Sequence, residues 1–164
     1  MSSIYHRVSI RRFQDRDVED DKIREILRAG MQAPSANNQQ PWEFYVVKNR
    51  EILEKLSTAH RYASCTKDAP AAIVSAYQKD CHSPDYAQID MSIAMENIWL
   101  RTDELGLGGV WLGIAPREER MRYVEEVIGM PESLRAFAIF PLGYPFEERR
   151  QEDRYEEDRI HYCL

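Results

Sequence analysis

The sequence predicts an α+β domain, a sheet with helices on its faces. Helical and strand patterns alternate along all 164 residues. One apolar helical stretch, 83–105, is too long, and the C-terminal tail too extended, for a doubly wound parallel sheet. No G-x-G-x-x-G follows a strand pattern, and neither a P-loop nor a G-x-S-x-G elbow occurs. No repeat, low-complexity tract or Ser/Gly linker divides the chain. Residues 1–164 therefore read as one domain, long enough for a core without staples.

Each element has its own warrant. From Glu19 to Ala33, Ile23, Ile26, Leu27 and Met31 recur at helical spacing behind acidic residues, which the helix dipole favours at that end. Pro34 ends the helix, and "APSANNQQP" must be loop. "WEFYVV" (42–47) is aromatic and β-branched, a strand. Asn49 caps a short helix through "REILEKLSTA", and "APAAIVSAY" (69–77) reads as a buried strand. The longest helix runs from about Ser83 to Leu105, with Pro84 near its start and Gly106 at its stop. Its apolar residues nearly encircle it, the pattern of a helix central in a core or buried between subunits; in so small a chain this points to a dimer. "GLGGVWLGI" (106–114) is a short strand bracketed by glycines. Pro116 opens a helix that ends near Gly129, and "LRAFAIFPLGYP" (134–145) is a strand closing in a Gly/Pro turn. The tail is highly charged, then aromatic.

Composition limits the function. The chain is 43% hydrophobic and 30% charged, with net charge −6, which argues against a nucleic-acid surface. No apolar run approaches a membrane span, and no signal-peptide core follows Met1. Cys65, Cys81 and Cys163 have no paired spacing and read as free thiols in a reducing, cytoplasmic setting. Cys81-His82 lacks a partner pair, so no metal is expected.

Four stretches could carry chemistry. In "RVSIRRF", strand alternation puts Arg7, Ser9 and Arg11 on one side, a donor set suited to phosphate; it could equally be a solvated edge. In "APSANNQQPW", amides and hydroxyls could read a heterocycle's edge, or could simply satisfy the loop backbone. Gly108, Gly109 and Gly113 would let a planar ligand approach main-chain N–H groups, or would mark turns and bulges. Arg154 and Arg159 sit among glutamates, as on a solvated face. His6, His60, His82 and His161 are scattered and no nucleophile stands out, so the chemistry would come from a cofactor.

In order, "RVSIRRF", "APSANNQQPWEF", "DAPAAIV", "AQIDMSIAMENIWLRTDELGLGGVWLG", "LGYP" and "RYEEDRIHY" resemble the nitroreductase family of flavoproteins, from about Ile4 to Tyr162. The resemblance implies a mixed sheet flanked by helices and a long central helix at a dimer interface. It also implies FMN at the interface of an intertwined homodimer, with the tail from about residue 146 reaching the partner subunit. Phosphate and ribityl contacts would fall to Arg7, Val8, Ser9 and Arg11, with Arg154 returning to the phosphate. Pro34, Ser35, Ala36 and Asn38 would come from the partner subunit and lie along the isoalloxazine, and Leu112 and Gly113 would contact the ring near its N5. Val8 offers only main chain, and Glu152 stands where some relatives have lysine. The implied activity is ping-pong transfer from NADH or NADPH to nitroaromatics, quinones or similar acceptors. The alternative is a flavin-binding protein without a productive nicotinamide pocket. Arg61, Lys67 and Arg117 are candidate partners for the 2′-phosphate of NADPH.

Overall fold

The computed structural model describes residues 2–163. Four helices, α1 (Asp20–Met31), α2 (Arg50–Leu56), α3 (Ala87–Glu104) and α4 (Glu118–Ile128), accompany β1 (Trp42–Val47), β2 (Ala71–Gln78), β3 (Gly108–Gly109), β4 (Leu112–Gly113) and β5 (Leu134–Gly143). The strands form one sheet in the order β1-β2-β5-β3, with β4 also paired to β5. Every pair of these strands is antiparallel. The mixed character expected of the sheet comes down to one parallel bridge, Ser9 to Gly109.

Side-chain alternation divides the core in two. Along β2, Ala71 and Ile73 face α1 and α3, whereas Ala72 and Val74 face α2 and α4. The first layer is filled by Ile26, Met91, Met95 and Ile98, and the second by Leu53, Leu56, Met121 and Val124, each at most 1% exposed. Burying one such side chain contributes about 1.5–3 kcal/mol. In β5 the alternation breaks: Phe137 and Ala138 both face the first layer. Ser75 opposes Ala138 and Ala76 opposes Ala136, leaving Phe137 as the extra residue of a β-bulge.

Several element ends differ from the sequence expectation. α1 stops at Met31, with turn hydrogen bonds from Gln32 and Ala33 closing it before Pro34. α2 ends at Leu56 rather than Ala59, and residues 84–86 form a 3₁₀ turn ahead of α3. The 106–114 stretch is two short strands, both on β5, rather than one. No helix among the described residues is long and apolar enough to cross a membrane.

Candidate active site

The N-terminal arm runs along the sheet edge. Its Ile10 N–H donates to the Gly109 carbonyl at 2.9 Å, and Gln14 N–H to the Tyr144 carbonyl at 2.9 Å. Ile10 is buried, 6% exposed, and anchors the arm. Arg7 lies on α3: its guanidinium carbon is 4.1 Å from the Trp99 ring centroid, and Nε is 3.6 Å from Glu96 Oε1. Cation–π contact and burial fix this arginine in place.

The tail folds back over the arm. Gln151 Nε2 donates to the Arg7 carbonyl at 2.8 Å. Arm and tail together line an open cavity of about 430 Å³ whose lining includes Arg7, Val8, Ser9, Trp99, Glu152 and Arg154. Arg7, Val8, Ser9 and Arg154, predicted from opposite ends of the sequence, therefore meet in one place. Arg7 Nε and Trp99 Nε1 are buried donors without a hydrogen-bond acceptor among the described residues. Arg7 Nε keeps its longer ion pair with Glu96, whereas Trp99 Nε1 is unanswered; a buried donor beside the Arg7 and Arg154 side chains suits an anion such as a phosphate. Arg11 is not part of this lining. It is exposed, and its charge partly offsets the burial that raises the Cys65 thiol pKa.

The 34–40 loop is held elsewhere, at the start of α3. The main-chain N–H of Ala36 donates to Asp90 Oδ1 at 2.9 Å, and Gln39 Nε2 donates to Asp90 Oδ2 at 2.6 Å. Ser35 Oγ accepts from the Gln40 N–H, and Asn37 Nδ2 donates to Ser83 Oγ. The side chains of Ser35, Asn37 and Gln39 thus serve the loop itself. Asn38 is exposed and its amide has no partner among the described residues. Asn37, Asn38 and Gln40 have φ of 51°, 52° and 48°, the left-handed region that side chains resist. Asp90 and Trp99 are nine positions apart on α3, about 13 Å along the axis. No residue of the loop lines the arginine cavity.

The glycines separate by role. A Cβ on Gly108 would lie 2.5 Å from Ile10, and one on Gly109 2.6 Å from the Phe140 ring, so these two admit core and arm. A Cβ on Gly113 would meet nothing within 4 Å. Gly113 is exposed, whereas Leu112 is only 3% exposed and pairs with Ile139 in the sheet. Ile114 and Ala115 N–H groups both donate to the bulged Phe137 carbonyl, which fixes the chain just past Gly113. Arg120 donates to the Gly113 carbonyl at 3.3 Å. His60 has its pKa lowered, first by burial and then by the Arg120 charge.

Sequence reasoning missed Trp99, which reads as core by its helical spacing. It also missed Asp90, whose one signal is a lone acid within the apolar run "QIDMSIAM". No metal-binding cluster occurs among the described residues.

The family model for the nitroreductase family matches residues 4–144. An Archaeoglobus fulgidus protein that carries the name NADH dehydrogenase/NAD(P)H nitroreductase is 44% identical, covering 98% of this chain and 95% of its own. The solved FMN-dependent nitroreductase of Clostridium difficile superposes with a TM-score of 0.92 at 31% identity, covering 99% of this chain and 98% of its own. A Desulfovibrio desulfuricans protein described as a nitroreductase in complex with FMN gives 0.84 at 26% identity, covering 99% and 95%. With the antiparallel sheet, the helical layers and the arm in place, these matches decide the assignment: this chain belongs to the nitroreductase family and is an oxidoreductase of that family.

Proposed function

We propose that this chain binds FMN between two copies of itself and passes electrons from NADH or NADPH to flat, electron-poor acceptors such as nitroaromatics or quinones. The observation that carries the reading is the cavity where Arg7, Ser9 and Arg154 meet beside Trp99, whose buried Nε1 has no acceptor among the described residues. Bound there, FMN would supply the electron-transfer chemistry, so the chain needs no nucleophile of its own.

The chain's residues bind and orient. Arg7 and Arg154 neutralise the phosphate, Ser9 adds a hydroxyl donor, and Val8 contributes main chain. Arg11 lies outside the lining of this cavity, and its assignment to the phosphate rests on the family resemblance. Gly113, exposed and without a side chain, lets the reactive edge of the ring come close to β4, with Leu112 beside it. Pro34, Ser35, Ala36 and Asn38 serve the second subunit's site, because the loop sits away from its own chain's arginine cavity. The exposed Ile89 and Ile93 of α3 supply the apolar contact between copies. Residues 149–154 of the tail lie over the arm of their own chain, and the stretch beyond them extends onto the other subunit. Donor and acceptor use one open site in turn, which predicts ping-pong kinetics. Three thiols without disulfide partners agree with a cytoplasmic setting.

FMN titration followed by flavin fluorescence tests the assignment. Arg7→Ala and Arg11→Ala should each weaken binding about 10- to 100-fold, the loss of a charge-assisted contact, and Ser9→Ala by less. Full affinity in both arginine variants would overturn the phosphate assignment.

A further inference from the structure

We propose that Asp90 is a positioning residue for the flavin: its two oxygens hold the 34–40 loop in the shape that lets Ser35, Ala36 and Asn38 reach the ring. The inference rests on the FMN reading above and concerns a residue outside the arginine cavity.

The hydrogen-bond pattern requires a carboxylate at this position. Gln39 pairs with the main chain of Ser83 through both ends of its amide: Oε1 accepts from the Ser83 N–H at 2.6 Å, and Nε2 donates to the Ser83 carbonyl at 3.0 Å. Turning the amide over would set donor against donor and acceptor against acceptor, so its orientation is fixed. The remaining hydrogen on Nε2 then points to Asp90 Oδ2 at 2.6 Å, while Oδ1 takes the Ala36 N–H at 2.9 Å. Both neighbours are donors, and only a side chain with two acceptors answers both. Asparagine would present its own N–H₂ to one of them. Asp90 is 2% exposed, so a lost partner is not replaced by bulk water.

The loop needs such a tether because its backbone is unfavourable without one. Three non-glycine residues in the left-handed region persist only where the surroundings over-determine them. Asp90 fixes the loop at Ala36 and Gln39, one on each side of Asn37 and Asn38. It also lies between Ile89 and Ile93 on the half-exposed turn of α3, at 54% and 37% exposure. The helix proposed to dock the two copies therefore also sets the loop proposed to cross between them.

The test compares wild type, Asp90→Asn and Gln39→Leu by FMN titration, by the visible spectrum of the bound flavin and by melting of the flavin-free protein. Gln39→Leu removes the same link from the loop side and keeps the test available should Asp90→Asn fail to fold. The expected result is an FMN Kd raised about tenfold in either variant, one lost hydrogen bond's worth, with a displaced flavin band. A residue with a merely structural role would lower the melting temperature and leave the spectrum of bound flavin as in wild type; that result overturns the inference and spares the FMN reading. A wild-type protein that takes up no FMN overturns both, and is recognised before any variant is made.

Discussion

Glu19 stands just ahead of α1, where its own main-chain N–H and then the Tyr144 hydroxyl, at 2.8–2.9 Å, lower its pKa from 4.5 to about 2. Because the folded value lies below the unfolded one, its contribution is present above about pH 4.5 and lost as pH falls through 2. Urea titrations of Glu19→Gln should therefore show a shallower loss of stability than wild type across that window; parallel curves would show that the carboxylate contributes nothing. Cys65 makes the opposite case, since burial raises its thiol pKa against the pull of Arg11. A thiol reagent at neutral pH should modify exposed Cys163 first and Cys65 only on unfolding. Rapid native labelling of Cys65 would mean that Arg11 outweighs burial. At this scale the order of the segments brings together residues far apart in the chain, since Arg7, Ser9 and Arg154 line one cavity. Asp90 and Trp99 were not legible in the sequence, because their partners come from distant segments and neither spacing nor composition encodes them.

Among the elements, the glycine segment gives the sharpest contrast. Gly109→Ala drives a methyl into the Phe140 ring and should destabilise the fold by about 1–3 kcal/mol. Gly113→Ala has open space and should melt like wild type while weakening FMN binding. Equal melting temperatures for the two variants would contradict the division of roles. Helical spacing located α1 and α3, caps and prolines located α2 and α4, and β-branched, aromatic or continuous apolar runs located the three longer strands, two of which are buried on both faces. Residues 106–114 read as one strand because glycines lack the side chains that report alternation. The bulge at Phe137 was equally silent: it is set by pairing with β2, and "LRAFAIF" is apolar on both faces.

For the molecule as a whole, one chain carries the arginine cavity and the loop at separate places along α3, and in the proposed dimer a second copy would bring a loop to each cavity. Ile93→Glu, on the exposed face of α3, should turn a dimer into a monomer in sedimentation velocity and lower FMN affinity with it. A monomeric wild type would remove the shared site. The fold class and the order of the candidate segments are legible in the amino-acid sequence because each segment is contiguous; how segments meet across copies is a property no single chain spells out. Electron transfer from a nicotinamide is the activity proposed for this site, and it is read most directly in the visible absorbance of the FMN-loaded protein on adding NADH or NADPH without oxygen. The flavin band should bleach, and the faster nicotinamide identifies the donor. A yellow protein that stays oxidised with both would contradict the proposed activity and leave a flavin carrier.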